Sequence, residues 1–145
     1  EFMKKILVTF VLCFFLAGLA GAADNGTPAE AEQLVKKGVA LVKANGKEKA
    51  MAEFNNRKGA FNDRDLYIFA VDFNGKVLAQ GGNPKLVGKD FSKIPFIRDM
   101  IALAKSKGSG WVDYKWTNPV TKKLESKTSY VQRIDDYFLG CGVYK

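Results

Sequence analysis

The segment from Gly108 to Tyr130 constrains the fold of this chain more than any other, because it predicts two strands joined by a hairpin. Tyr114 and Trp116 lie two residues apart, so a strand directs both side chains to one face. Asn118-Pro119 supplies turn residues, and a strand resumes from Lys127 to Ile134. The segment therefore predicts an antiparallel strand pair that presents aromatic side chains and a lysine on facing strands.

Before this hairpin, the sequence predicts two helices. Thr27-Pro28-Ala29-Glu30 is a capping box with proline in the first turn. The long helix that follows is interrupted at Asn45-Gly46, and a second short helix runs from Lys47 to about Asn56. Apolar residues recur at helical spacing in both segments, which predicts that each helix packs on a core.

Changes in the spacing of hydrophobic residues along the chain predict further strands and one more helix. They are, in chain order, strands Leu66–Val71 and Lys76–Gln80 around an Asn74-Gly75 turn, a helix Phe96–Lys105, and a last strand Tyr137–Tyr144. Adjacent hairpins imply a five-stranded antiparallel sheet with the long helix on one face, which is an α+β fold. The insertion between the second and third strands covers part of the other face, and a pocket is expected between sheet and insertion.

The first residues have the order that is typical of a secretory signal peptide. Lys4-Lys5 precedes the apolar run Ile6–Ala17 and the small residues Ala20–Ala22, so cleavage is expected near Ala22 or Ala23. Glu1-Phe2 before the methionine resembles a cloning remnant. The alternative is an uncleaved N-terminal membrane anchor, because the uncharged run is long enough to be borderline for a bilayer. Cleavage of residues 1–23 predicts a periplasmic or secreted protein.

The composition excludes several classes of enzyme and site. The 145 residues contain no histidine, which excludes histidine-based triads, most zinc sites and haem attachment. After processing only Cys141 remains, so no intramolecular disulfide forms, and a small core residue is expected there. The sequence predicts neither a metal nor a cofactor. Asp113 and Glu125 flank the hairpin without a nucleophile beside them, which argues against catalysis.

The formal net charge of +8 would favour nucleic acid as a partner for an intracellular protein. Predicted export and the scattered lysines instead indicate a solvated basic surface and no nucleic-acid partner.

Seven residues form the candidate ligand-binding set: Tyr67, Phe96, Arg98, Tyr114, Trp116, Lys127 and Tyr130. Lys127 is either solvent-exposed or paired with an anion, because an unpaired buried ammonium is costly. Arg98 is either a bidentate carboxylate clamp or a solvated arginine. Tyr130 has the opposite strand parity to Lys127, so it reaches the same ligand only through a bulge or a strong twist.

The other four candidates also keep two interpretations. Tyr114 and Trp116 are either ordinary sheet core or pocket wall, and Phe96 is a further wall candidate. Tyr67 fits a core position with a satisfied hydroxyl better than a ligand contact.

Several motifs resemble the single Cache domain family of PAS-like, extracytoplasmic sensor modules in bacterial chemoreceptors and histidine kinases. The resemblance covers nearly the whole of residues 24–145, which we interpret as one such domain. The motifs are Asp65-Leu66-Tyr67-Ile68-Phe69, Asp72-x-x-Gly75, Asn83-Pro84-x-Leu86-Val87-Gly88-Lys89-Asp90, Gly110-Trp111-Val112-Asp113-Tyr114-x-Trp116-x-x-Pro119 and Lys127-x-Ser129-Tyr130-Val131.

The resemblance implies a binding function without chemistry, for a short carboxylate such as acetate, propionate, pyruvate or lactate. Relatives often have Ala-His-Pro where this chain has Ala79-Gln80-Gly81, and an acidic segment where it has Phe91–Pro95. Both departures lie near the expected pocket, so the identity of the ligand does not carry over.

A protein-interaction module with a self-filled pocket is the alternative function. No output domain is recognised in the sequence, so a signal sensed here is expected to pass to another chain. This module would dock on a membrane sensor kinase or chemoreceptor, or form a homodimer through the long N-terminal helix. An enzyme is a distant third hypothesis.

Overall fold

A computed structural model describes residues 25–145 of the chain. The predicted signal peptide therefore lies outside the described residues. Residues 25–145 contain three α-helices and one short 3₁₀ helix: α1 Pro28–Asn45, α2 Lys47–Phe54, η1 Pro84–Leu86 and α3 Pro95–Lys107. Within the described part of the chain, no helix has the length and apolar character needed to cross a bilayer.

The strands form one main sheet and one small ladder. In chain order they are β1 Asn62–Asp63, β2 Leu66–Tyr67, β3 Phe69–Asp72, β4 Val77–Gln80, β5 Ser109–Thr117, β6 Leu124–Ile134 and β7 Tyr137–Tyr144. The five-stranded sheet has the order β4-β3-β7-β6-β5 and is antiparallel throughout. The predicted five-stranded α+β architecture is confirmed. The first predicted strand is divided, because β2 pairs with β1 in a separate ladder before β3 enters the sheet.

Helix α1 begins where the sequence predicts, and its capping box is formed. The Glu30 N–H donates to Thr27 Oγ1 at 3.3 Å, and the Thr27 N–H donates to Glu30 Oε2 at 2.7 Å. The helix ends at Gly46, whose φ of 87° suits glycine. These reciprocal hydrogen bonds satisfy two donors that the first turn would otherwise leave free.

Replacing Thr27 with alanine should lower the free energy of unfolding by about 1 kcal/mol, because the cap hydrogen bond to the first turn is lost. Urea unfolding followed by circular dichroism measures this change. Thr27→Ser keeps the hydroxyl and should retain most of the stability. Equal losses in both variants would show that the hydroxyl is not the stabilising group.

Each face of the sheet carries its own hydrophobic core. On one face, α1 and α2 contribute Val35, Val39 and Phe54, which pack with Leu139 and Ile68 of the sheet side. On the other face, α3 covers the sheet through a stripe at helical spacing, which consists of Ile97, Met100 and Ala104. The insertion between β4 and β5 thus covers the second face, as the sequence predicts, and the candidate pocket lies on this side.

Candidate functional site

A small cavity lies between the sheet and α3. It is lined by ten residues: Tyr67, Phe69, Val71, Val77, Gln80, Phe91, Phe96, Ile97, Tyr114 and Trp116. Its volume is about 20 Å³, which is enough for roughly one water molecule. Side chains of the protein therefore fill most of the space at this site.

Aromatic rings form one wall of the cavity. The alternation of β5 directs Tyr114 and Trp116 toward α3, as the sequence predicts. The Phe96 ring, from the first turn of α3, stacks on Tyr114 with centroids 4.4 Å apart and meets the Trp116 ring edge-on at 5.9 Å. Phe91 contacts the other side of Trp116 at 6.0 Å. All four side chains are only half-buried, so this wall separates the cavity from solvent.

Lys127 lies behind the cavity, with 1% of its surface exposed. It pairs with Tyr114 across the β5–β6 ladder. Its Nζ donates to Tyr67 Oη at 2.9 Å and to Tyr144 Oη at 3.5 Å. The Tyr67 ring centroid lies 4.1 Å from Nζ, and the Phe69 centroid lies 5.8 Å from it. Tyr67 and Phe69, which both line the cavity, thus also contact the buried ammonium group of Lys127.

Within residues 25–145, no carboxylate forms an ion pair with Lys127. Burial acts to lower the pKa of Lys127, but the phenol oxygens of Tyr114 and Tyr67 favour the charged form. The net effect is a pKa above the ordinary lysine value. Phenol oxygens and aromatic faces therefore surround the buried ammonium group of Lys127.

The phenols around this charge stay protonated at neutral pH. Burial raises the pKa of Tyr114 to about 12, and burial, followed by the nearby Tyr67, raises the pKa of Tyr144 further. Tyr144 uses its proton to bind the Thr117 carbonyl at 3.0 Å. The Tyr114 hydroxyl lies 2.8 Å from Ser129 Oγ. The cluster therefore offers neutral hydroxyls and one cation.

Gln80 is a further polar group on the cavity wall. Its Oε1 accepts from the backbone N–H groups of Gly82 at 2.8 Å and Asn83 at 3.1 Å, which fixes the orientation of the amide. The Gln80 NH₂ group donates to no atom in the described part of the chain. It is therefore a free donor on a residue that is 5% exposed and lines the cavity.

The structure brings five of the seven predicted site residues together. Tyr67, Phe96, Tyr114 and Trp116 line the cavity, and Lys127 lies directly behind Tyr67.

Arg98 lies away from the cavity, in keeping with the solvated arginine that was its alternative interpretation. It follows Ile97, which faces the core, and one helical step turns its side chain to solvent. It lines a different groove with Phe73 and Lys105.

Tyr130 also lies away from the cavity, because the bulge that would bring it beside Lys127 is not formed. No bulge interrupts the pairing of β6 with β5 or β7, so Tyr130 keeps the opposite face from Lys127. It packs in the core beneath α1, with its ring 5.6 Å from that of Trp111. Its hydroxyl donates to Gln132 Oε1 at 3.4 Å.

Three site residues were missed by the sequence analysis. Tyr144 and Phe69 belong to strands that join the site only through the pairing of β7 with β6 and β3. Gln80 was noted as a departure from the family pattern near the expected pocket, which was the one available signal.

Comparison with known proteins identifies the family. The Cache domain family matches residues 31–145, and the chain belongs to this family. The chain is 33% identical over 90 residues to the methyl-accepting chemotaxis protein McpP of Pseudomonas putida. The match covers 57% of this chain and 16% of McpP, so the chain spans only a small part of that receptor.

Solved structures give the same result. A Cache chemosensory domain described for its carboxylic acid recognition is 29% identical, with a TM-score of 0.61 over 80% of this chain and 86% of that chain. A methyl-accepting chemotaxis protein from Vibrio parahaemolyticus shares the fold, with a TM-score of 0.65 at 22% identity over 80% of this chain and 86% of that one. Cache domains of chemoreceptors are extracytoplasmic, non-enzymatic signalling modules, and residues 31–145 of this chain form a domain of that family.

Proposed function

We propose that this chain is a periplasmic sensor module that binds a short monocarboxylate beside Lys127 and leaves it chemically unchanged. The observation that carries the proposal is the buried ammonium of Lys127, which has no carboxylate partner within residues 25–145. A bound carboxylate would supply the missing counter-charge through charge-assisted hydrogen bonds. The similar Cache domain that recognises carboxylic acids supports this class of ligand.

The residues around the cavity suit a ligand with one polar end and one apolar end. Lys127, the Tyr67 hydroxyl and the free NH₂ group of Gln80 are the donors for the carboxylate. Val71, Val77 and Ile97 line the cavity with apolar surface that suits a short aliphatic tail. For a ligand of about five heavy atoms, the net affinity after desolvation and association costs is expected to be micromolar.

Binding requires the aromatic wall to open. A cavity of about 20 Å³ does not hold even a two-carbon acid. Phe91, Phe96 and Trp116 are only half-buried, and their contacts with one another are edge-on. In this proposal, these rings are the part of the site that moves. Lys127 and the two tyrosines that it contacts, Tyr67 and Tyr144, stay fixed.

The proposal predicts that acetate, propionate, pyruvate or lactate raises the melting temperature and that the neutral analogue propionamide does not. Thermal-shift screening followed by titration calorimetry measures this, with propylamine as a control of the opposite charge. The amide has nearly the shape of propionate but lacks the charge that Lys127 pairs with. Equal stabilisation by acid and amide, or none by any acid, would contradict carboxylate recognition.

A second function is favoured by one observation, which is that the protein's own rings nearly fill the cavity. In this alternative the domain docks on a sensor kinase or chemoreceptor, or pairs with a second copy through α1, and the cavity is structural. The two functions differ in their response to Lys127 variants. A membrane partner that is captured equally well by a Lys127 variant, in a protein that binds no acid, would favour the interaction module.

Removal of residues 1–23 by signal peptidase is part of the first proposal. The charged start, apolar run and small residues of that segment support it.

A further inference from the structure

The turn between β5 and β6, here called the hairpin tip (residues 118–124), protrudes at one end of the sheet. Thr117 and Leu124 form the last β5–β6 pair, whereas β6 pairs with β7 only from Lys127 onward, opposite Tyr144. The tip therefore extends past the end of β7. Its backbone is closed by hydrogen bonds between Asn118 and residues 122 and 123, so it is an ordered turn.

The beginning of α1 lies at the same end of the sheet. The Gly26 N–H donates to Asp65 Oδ1 at 2.6 Å, and Asp65 directly precedes β2. The β2 residue Tyr67 has its hydroxyl 3.4 Å from that of Tyr144, near the end of β7. Residue 25, residue 145 and the hairpin tip thus share one end of the domain.

The surface of this end combines exposed apolar side chains with cations. Val120 is 64% exposed and Leu124 is 67% exposed, which exceeds every other large hydrophobic side chain in residues 25–145. Arg57, Lys85 and Lys122 line a groove of about 480 Å³ beside the tip, together with Thr117 and Pro119. No ion pair involves these three cations in the described chain.

Glu125, next to the tip, accepts hydrogen bonds from Asn118 and Thr121 and keeps its negative charge. The tip and its groove carry four cations, Arg57, Lys85, Lys122 and Lys123, against this neighbouring carboxylate, so their net charge is positive.

We propose that the hairpin tip contacts an anionic lipid surface, with Val120 and Leu124 at the boundary of headgroups and acyl chains. Cations beside exposed apolar side chains match the two requirements of interfacial binding, which are apolar burial and attraction to lipid phosphates. A protruding turn with two separate apolar side chains fits a fluid boundary better than a packed protein interface, which needs a continuous apolar centre. The proposal does not depend on the ligand of the cavity.

The test places a spin label on the tip of the mature protein, residues 24–145, at Val120→Cys. Cys141 is buried and does not interfere. Asn74→Cys carries the matched control label, because Asn74 is exposed in the β3–β4 turn at the opposite end. Accessibility to oxygen and to a nickel chelate is then measured with vesicles of phosphatidylglycerol and phosphatidylethanolamine, and with phosphatidylcholine alone.

We expect the label at position 120 to gain oxygen accessibility and lose nickel accessibility on anionic vesicles only, while the label at position 74 stays aqueous. Lys122→Glu with Lys123→Glu should remove most of the change at position 120. A label at 120 that stays water-accessible would overturn the proposal. Equal changes at both labels, or immobilisation at 120 without oxygen access, would also overturn it, since these indicate indiscriminate adsorption or a protein contact.

Discussion

Replacing Lys127 with methionine should abolish binding of a short carboxylate and raise the stability of the ligand-free protein. Methionine keeps most of the length of lysine but removes the charge. Charge-assisted hydrogen bonds contribute roughly 1.5–3 kcal/mol each, so losing two of them weakens binding by at least about 100-fold. For a micromolar ligand, that loss raises the dissociation constant to about 0.1 mM or higher, so little binding is expected at concentrations that saturate the unsubstituted protein.

The stability effect has the opposite sign because the ammonium is buried without an anion. Taking such a group out of water costs several kcal/mol, and the rings of Tyr67, Tyr144 and Phe69 return only part of that, at roughly 0.5–2 kcal/mol. The methionine variant leaves the hydroxyls of Tyr67 and Tyr144 bonded to each other. We therefore expect a gain of about 1–3 kcal/mol in the free energy of unfolding.

Titration calorimetry and urea unfolding of both proteins test the two parts together. Lys115→Met is the matched control, because Lys115 is exposed on the neighbouring strand β5. The control should change neither the affinity nor the stability by a measurable amount. Undiminished affinity in the Lys127 variant would remove Lys127 from the site. A loss of stability in that variant would show that its hydrogen bonds to the phenols outweigh the cost of burying the charge.

Replacing Gly140 with alanine should both destabilise the fold and close the cavity. A methyl group at position 140 would lie 2.6 and 2.9 Å from two ring carbons of Phe69, which is closer than carbon atoms approach without movement. Phe69 pairs directly with Gly140 across β3 and β7, and its ring lines the cavity. The ring must therefore move, and the cavity is the nearest space that is not filled.

Overpacking of this kind costs about 1–3 kcal/mol, and we expect ligand affinity to fall at least about tenfold, a loss of roughly 1.4 kcal/mol. The matched control is a double-mutant cycle with Phe69→Leu, because the smaller side chain gives room for the methyl group. The double variant should be less destabilised than the sum of the two single variants. Additive losses in unfolding free energy would show that Gly140 does not act through the Phe69 ring.

The sequence is sufficient for the local parts of this molecule. The capping box at Thr27 and the alternation that places Tyr114 and Trp116 on one face depend only on neighbouring residues. The same alternation places Tyr130 away from Lys127, and the helical phase set by Ile97 turns Arg98 outward.

The rest of the site depends on contacts between distant parts of the chain. Tyr144 reaches Lys127 only because β7 pairs with β6 in one particular register. The break between β2 and β3 has no sequence pattern, since strands of two residues are too short to show a period. The near-complete filling of the cavity follows from side-chain packing, which hydrophobic patterns do not encode.

The position of β7 in the sheet has a consequence for the order in which the molecule assembles. This last strand is the middle one of five, and it alone joins the β3–β4 pair to the β5–β6 pair. Tyr67 and Phe69 lie on the β3 side of this strand, whereas Tyr114 and Lys127 belong to the β5–β6 pair on its other side. A chain without residues 137–144 has two unconnected hairpins and exposes four strand edges. Folding therefore requires long-range closure by residues 137–144, and the two parts of the cavity lining come together in the same event that completes the sheet.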